Sequence, residues 1–232
     1  MSALLFDAPE LPVVAVRGET AAFPVRRVFC VGRNYAAHAA EMGHEVDREK
    51  PFYFTKSVFA VTPSGATVAY PPGTEDFHYE LELVLAIGKP VFKAAKDEAM
   101  AAIYGYACGL DMTRRDLQIS ERVKQRPWDL GKDVENSAVV APITKAGEMG
   151  AIGPQRIRLE VNGEVRQDAL LSDMVWKAEE IVSHLSGFYH LKPGDLIMTG
   201  TPAGVGPVVA GDRLVGQIDG LEDIALQIGD PD

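Results

Sequence analysis

Cysteine is nearly absent from this chain: 232 residues contain two, Cys30 and Cys108. Two thiols cannot build a disulfide framework, and no C-x-x-C pair or Cys/His zinc spacing is present. Both lie in apolar runs, where a cysteine acts as a small buried hydrophobe. Long hydrophobic runs are also missing. None approaches the ~20 residues of a membrane span. The segment Met1–Asp7 has neither the basic start nor the long apolar stretch of a signal peptide, so the expected setting is the cytoplasm. Positive charge is scarce: 23 Lys and Arg face 33 Asp and Glu, for a net charge of −10. That balance speaks against a general nucleic-acid or anionic-membrane partner, although a local basic pocket can still take an anionic substrate. There is no repeat, no low-complexity stretch and no regular βαβ alternation, which disfavours a dinucleotide-binding sheet.

What is present is the composition of a globular domain, with 47% hydrophobic and 24% charged residues. Strand signals dominate. Residues 11–24 read as a short strand with a turn at Arg17-Gly18, and Val28–Val31 as a second strand. Aromatic and β-branched residues mark Pro51–Val61, and alternation marks His78–Ile87. Gly105–Leu110 and Leu196–Met198 are further apolar strands. Asn162-Gly163, between Arg158–Val161 and Glu164–Gln167, is the strongest hairpin signal. Helices are expected over Tyr35–Gly43, capped by Asn34, and over Ala94–Ala102, Thr113–Lys124 and Met174–Tyr189. Residues 44–50 are charged and read as a loop. The class is α+β, mainly β.

One constellation suggests chemistry. In His78-Tyr79-Glu80-Leu81-Glu82-Leu83-Val84-Leu85, strand alternation puts Glu80 and Glu82 on one face and Leu81, Leu83 and Leu85 on the other. Two adjacent carboxylates repel, and either a divalent cation or an Arg or Lys offsets them. The motif alone fits surface acids better than a metal site, since Asp133-Val134-Glu135 has the same spacing. Asp111 follows the apolar strand Tyr106–Leu110 and precedes a helix, where a plain N-cap is the ordinary role. Arg115, Gln118 and Arg122 then follow on one helical face. Lys132 adds a cation after Arg126-Pro127-Trp128. Three carboxylates without a soft ligand suit Mg²⁺ or Mn²⁺, and leave about three of six octahedral positions for water or substrate. His38 and Glu41, at i and i+3, can form an oriented general base, or be incidental surface neighbours. His78 shares the Glu80/Glu82 face and is a candidate supporting group. His44, His184 and His190 carry no such arrangement. The loop Thr199-Gly200-Thr201-Pro202-Ala203-Gly204-Val205-Gly206 fits neither G-x-G-x-x-G nor a P-loop, and reads either as a tight turn or as backbone approaching a ligand.

Together, Val31-Gly32-Arg33-Asn34-Tyr35, His38-x-x-Glu41, Tyr79-Glu80-Leu81-Glu82-Leu83, Leu110-Asp111-Met112-Thr113, Arg115-Asp116-x-Gln118, Lys132, Val161-Asn162-Gly163 and the Thr199–Gly206 loop resemble the fumarylacetoacetate hydrolase superfamily. They resemble its short acylpyruvate and fumarylpyruvate hydrolases most. The resemblance implies a rolled mixed β-sheet catalytic domain over residues 26–232, behind a short N-terminal strand extension over 1–25, and a homodimer. It implies Mg²⁺ or Mn²⁺ on Glu80, Glu82 and Asp111. It implies His38, Glu41, Lys132 and Gln118 as catalytic residues, His38 and Glu41 riding on a lid helix. Arg33, Arg115, Thr201 and Lys56 are implied around a small anionic 2-oxo or 2,4-dioxo acid. The implied reaction is hydrolysis of an acylpyruvate such as fumarylpyruvate or maleylpyruvate to a carboxylic acid and pyruvate, in aromatic-compound catabolism. The alternatives are oxaloacetate decarboxylation or keto–enol tautomerisation on the same scaffold, and a non-catalytic binding protein.

Overall fold

The computed structural model describes residues 4–43 and 48–231. The middle of the expected charged loop, residues 44–47 with His44, lies outside them. The described residues are mainly β, with 38% strand and 20% helix. An eight-stranded mixed sheet forms its centre. Its order runs Phe52–Lys56, Arg27–Gly32, Asp195–Met198, Leu81–Ile87, Ile103–Asp111, Ala138–Val140 and Val61–Pro63, with Thr144–Lys145 also paired to Ile103–Asp111. The two edge strands, Phe52–Lys56 and Val61–Pro63, are neighbours in the chain, joined only by residues 57–60. So short a link forces the sheet to curl until its edges approach.

The curl gives the sheet two apolar faces, read directly from alternation. Leu81, Leu83, Leu85 and Ile87 face one way and pack with Ile157, Leu159, Leu214 and Ile224 of a five-stranded sheet, and with Ile181 and Leu185 of a helix. Val84 and Ala86 face the other way, into a second core with Cys30, Ala107 and Met198. Residues 13–14 and 23–24 pair as a small hairpin, and Val14, Val16, Phe23 and Val25 complete that second core. Both cysteines are buried free thiols. Burial lifts the Cys30 thiol well above its ordinary pKa, and lifts Cys108 to about 12.

The Asn162-Gly163 hairpin forms as its sequence demands, with positive φ at both turn residues (53° and 82°) between strands Arg156–Val161 and Glu164–Leu170. Among the described residues, six α-helices decorate the sheets: α1 Ala36–Glu41, α2 Lys96–Ala101, α3 Arg115–Val123, α4 Asp129–Lys132, α5 Ala146–Met149 and α6 Ala178–Ser186. Three expectations need correction. Helix α6 is shorter than Met174–Tyr189, because the Lys177 N–H is capped by Glu180 (3.0 Å) and Gly187 closes the other end. Asn34 does not cap α1. Its Nδ2 donates to the Trp176 (3.0 Å) and Thr199 (2.8 Å) carbonyls, and its Oδ1 accepts from the Trp176 N–H (2.7 Å). Asp111 is not an N-cap either. Thr113 and Arg114 are extended and pair with His78 and Phe77, so α3 starts only at Arg115.

Strand direction gathers the chemistry at one end. Arg27–Gly32 and Asp195–Met198 run parallel, so the loops Gly32-Arg33-Asn34 and Thr199-Gly200-Thr201 leave the sheet side by side. Leu81–Ile87 runs antiparallel to Asp195–Met198 and starts at that same end, and Ile103–Asp111 finishes there. The buried Asp195 carboxylate fixes this arrangement by accepting from Arg26 (2.9 and 3.1 Å) and from Arg27 (2.8 and 3.1 Å).

Candidate active site

Glu80 lies at a break in what the sequence reads as one strand. Phe77–Tyr79 belongs to a three-stranded sheet and Leu81–Ile87 to the eight-stranded one, so the chain changes sheets at Glu80. The Leu81 N–H is taken by the Gln167 Oε1 (3.0 Å) instead of a ladder partner. Glu80 and Glu82 nevertheless converge with Asp111. One carboxylate oxygen from each lies within 4.8 Å of the others, and all three residues are buried.

Their electrostatics differ. Burial opposes ionisation of Glu80, but Lys132 and Arg115 outweigh it and hold its carboxyl well below the usual carboxylate range. Glu82 is pushed well above that range by burial and by the charges of Asp111 and Glu80, with Lys132 and the Gly200 N–H (2.7 Å) only partly relieving it. A further cation beside Glu82 would remove this penalty. Three buried oxygen donors at that spacing fit a hard divalent ion.

Three basic side chains already serve the triad. The Lys132 ammonium donates to Glu80 (2.9 Å), Asp111 (2.6 Å) and the Thr113 hydroxyl (2.8 Å). Burial lowers its pKa, but Asp111 and Glu80 win and the pKa is raised, so it stays charged. Arg115 pairs with Glu80 through Nη2 and donates to the Gln118 Oε1 (2.7 Å) through Nη1. With its carbonyl end held there, Gln118 has its amide N–H₂ as the remaining polar end. Lys56 lies behind Asp111 (2.8 Å), and also donates to Ser137 Oγ (2.9 Å), Met112 O (3.1 Å) and Lys132 O. Its side chain is fully buried, so Lys56 braces the triad from behind and does not reach the cleft. Lys132 is placed by the four-residue helix α4, which the sequence does not announce. A Cβ on Gly131 would stand 2.7 Å from the Gln118 Cβ and backbone N, so only glycine lets α4 lie this close to α3.

His38 is buried on α1, and its Nδ1 lies 3.2 Å from the Glu41 carboxylate. Because a carboxylate only accepts, Nδ1 carries a proton, and Nε2 is the acceptor nitrogen of the neutral tautomer that this contact selects. Glu41 is itself held by the Gly204 N–H (3.1 and 3.2 Å). Gly204 has φ +96°, and a Cβ there would overlap the Arg166 carbonyl. The Gly-rich loop therefore orients the dyad with its backbone, while Gly200 serves Glu82 in the same way. Gly204→Ala is expected to cost more than about 1 kcal/mol of stability. It should also release Glu41, so activity falls further than the shift in urea midpoint accounts for. Activity reduced only in proportion to folded protein would refute this link.

One cleft is lined by Arg33, His38, Glu80, Glu82, Arg115, Gln118, Lys132 and Thr201, with Phe54, Trp128, Met42 and Arg122. Thr201 faces it with its hydroxyl already engaged, donating to the Leu81 carbonyl (2.8 Å) and accepting from Gln167 Nε2 (2.8 Å). Sequence reasoning missed Gln167 and Ser137, and it named Asn34 and Thr113 without the roles they play here. Each acts by bonding backbone or another site residue, a role with no motif of its own. His78 sits nearby but bonds Asp76 (2.7 Å), and burial with the Arg115 charge lowers its pKa.

The family described as Fumarylacetoacetate (FAA) hydrolase C-terminal matches residues 27–229. The chain belongs to the fumarylacetoacetate hydrolase family. A fumarylpyruvate hydrolase from Ralstonia sp is 53% identical over 191 residues, 81% of this chain and 98% of the relative. The crystal structure of the fumarylpyruvate hydrolase from Pseudomonas aeruginosa, in complex with Mn²⁺ and pyruvate, superposes with TM-score 0.95 at 46% identity, covering 98% of this chain and all of the other. An oxaloacetate tautomerase from Escherichia coli (strain K12) is 38% identical over 200 residues, 85% of this chain and 90% of the relative. Fold and family thus agree with the rolled β-sheet expected for this family from the sequence motifs.

Proposed function

We propose that this member of the fumarylacetoacetate hydrolase family is a Mg²⁺- or Mn²⁺-dependent acylpyruvate hydrolase that cleaves fumarylpyruvate to fumarate and pyruvate. The observation that carries the reading is the oriented His38–Glu41 pair, held by Gly204, with His38 lining the same cleft as Glu80 and Glu82 of the buried carboxylate triad. The 53% identity to a fumarylpyruvate hydrolase supports it. Glu80, Glu82 and Asp111 would hold the cation, which would supply Lewis acidity at the 2-oxo acid end of the substrate.

His38 Nε2 takes a proton from water, and Glu41 stabilises the resulting imidazolium. The hydroxide adds to the acyl carbonyl carbon, C4. The Gln118 amide donates to the developing oxyanion. Collapse breaks the C3–C4 bond, giving the carboxylic acid and the enolate of pyruvate. The proton on His38 goes to C3, which closes the balance. Lys132 and Arg115 keep Glu80 ionised and in place, and Lys56 does the same for Asp111. A share of the oxyanion for Lys132 requires its ammonium to exchange one of its three carboxylate and hydroxyl partners for substrate. Arg33 and Thr201 complete the substrate surround. Motion of α1 as a lid would shield the reaction from bulk water.

The proposal also covers the cis isomer maleylpyruvate, a cytoplasmic homodimer, and the division into an extension over 1–25 and a catalytic domain over 26–232. The exposed aromatic Phe52 (41%), beside Trp128, suits a subunit contact. A second reading, oxaloacetate tautomerisation, is favoured by the 38% identical relative. It needs proton transfer at C3 but no attack by water. Coupling pyruvate release to lactate dehydrogenase separates the two. One pyruvate per fumarylpyruvate consumed supports hydrolysis. No pyruvate, with accelerated oxaloacetate enol–keto exchange, supports the tautomerase.

A further inference from the structure

Strand Glu164–Leu170 forms an edge of the five-stranded sheet, and its residues are exposed or half-buried at every position but one. The exception is Gln167, which is fully buried. A bulge aims it inward. Leu159 stands opposite Gln167 and Glu160 opposite Val165, so Arg166 is the extra residue at which the strand bends. The cross-strand neighbour Leu159 belongs to the main core, and an apolar side chain at 167 would extend that core without desolvating an amide.

What the amide adds is three hydrogen bonds, and they use it completely. Its Oε1 accepts from the Leu81 N–H (3.0 Å), and its Nε2 donates to the Thr201 hydroxyl (2.8 Å) and the Pro202 carbonyl (2.8 Å). Leu81 lies between Glu80 and Glu82, where the chain passes from one sheet to the next. Thr201 in turn donates to the Leu81 carbonyl (2.8 Å). Leu81, Gln167 and Thr201 therefore close a ring in which both backbone groups of Leu81 have a side-chain partner. The other two bonds grip the Gly-rich loop midway between its two anchors. Gly200 donates to Glu82 (2.7 Å) on one side, and Gly204 donates to Glu41 (3.1 and 3.2 Å) on the other. The bulge backs the same loop, since the Arg166 carbonyl lies against Gly204 where a Cβ would collide with it.

We infer that Gln167 is a positioning residue for the reaction: its one amide ties the Glu80–Glu82 fork to the loop that anchors Glu41, and so holds the cation site and the general base in a fixed relation. None of its described bonds reaches a triad carboxylate or the dyad, so it acts through Leu81 and the loop. The inference rests on the acylpyruvate hydrolase reading for its turnover arm, and stands apart from that reading for its cation-binding arm.

The test is Gln167→Met, which fills similar space without the three bonds, combined with Glu41→Ala in a double-mutant cycle. Mn²⁺ affinity is titrated calorimetrically. The kcat and KM for fumarylpyruvate are measured at saturating Mn²⁺, at a temperature where circular dichroism shows each variant folded. Gln167→Met is expected to weaken Mn²⁺ binding by about fivefold or more and to lower kcat by about tenfold or more, with KM changed less than about threefold, because misaimed groups lose transition-state stabilisation and not substrate binding. In the Glu41→Ala background the same substitution should lower kcat less than about threefold, since the loop then has no Glu41 to hold, while Mn²⁺ binding weakens as before. A buried side chain with a purely structural role would not give that pattern. A smaller loss of Mn²⁺ affinity or of kcat, a larger change in KM, or a larger kcat loss in the Glu41→Ala background overturns the inference. If Gln167→Met does not fold, Gln167→Glu takes its place. That variant keeps the acceptor for Leu81, gives up an amide donor to the loop, and is held to the same kcat limits in both backgrounds. If wild type leaves fumarylpyruvate intact, the hydrolase reading fails separately, and the Mn²⁺ limit alone upholds or overturns the role of Gln167.

Discussion

His38→Ala is expected to lower kcat for fumarylpyruvate by ~10²–10⁴-fold while leaving Mn²⁺ affinity unchanged. The expectation follows from the separation of two tasks within one cleft. The triad oxygens come from strand ends, whereas His38 is carried on α1 and touches Glu41, not a triad carboxylate. Removing the imidazole takes away the proton acceptor without taking away a metal donor. Glu41 works only through His38, so the double variant His38→Ala/Glu41→Ala should be little slower than His38→Ala alone, the non-additivity of groups that act as a unit. Steady-state kinetics with calorimetric Mn²⁺ titration checks both points. Full turnover in His38→Ala would remove the dyad from the mechanism, and multiplicative losses would show that Glu41 has a separate task.

Lys132→Met is the second large effect, and it is largest without metal. The Lys132 ammonium is the shared partner of Glu80, Asp111 and Thr113, all buried. Its removal leaves carboxylates in the interior with less compensation, a change worth about 3–5 kcal/mol when a buried pair is broken. At roughly 2–4 °C per kcal/mol for a chain of this size, the melting temperature of the metal-free protein should fall on the order of 10 °C. Mn²⁺ can replace part of the missing positive charge. Its stabilising shift should therefore be larger in Lys132→Met than in wild type. Thermal melts with EDTA and with Mn²⁺ decide it. A variant as stable as wild type in EDTA would mean that Lys132 is not the counter-ion of the triad.

The sequence shows the ingredients of this site more clearly than their assembly. Alternation in Leu81–Leu85 separates core leucines from Glu82 correctly, because the strand is covered on both faces by apolar layers. The same pattern cannot show that the chain changes sheets at Glu80, since a break in pairing leaves the spacing of side chains intact. The i,i+3 spacing of His38 and Glu41 survives as a real contact because both sit on one short helix. What fixes Glu41, the Gly204 N–H, comes from 163 residues further along the chain, and no local pattern could link them. Asn34 has the residue type of a helix cap but is drawn into bonds with Trp176 and Thr199. Long-range backbone acceptors outcompete the local one here. Lys56 and Lys132 look alike in sequence. Only the curl of the sheet sends one behind Asp111 and the other into the cleft.

The central claim is that the triad and the dyad together hydrolyse an acylpyruvate with the help of a divalent cation. The most direct measurement follows the enol absorbance of fumarylpyruvate with the purified protein, first with Mn²⁺ or Mg²⁺ and then with EDTA. The account predicts rapid loss with the cation, fumarate and pyruvate as equimolar products, and arrest by EDTA that added Mn²⁺ reverses. Loss that continues undiminished in EDTA, or no loss with either cation, would contradict it.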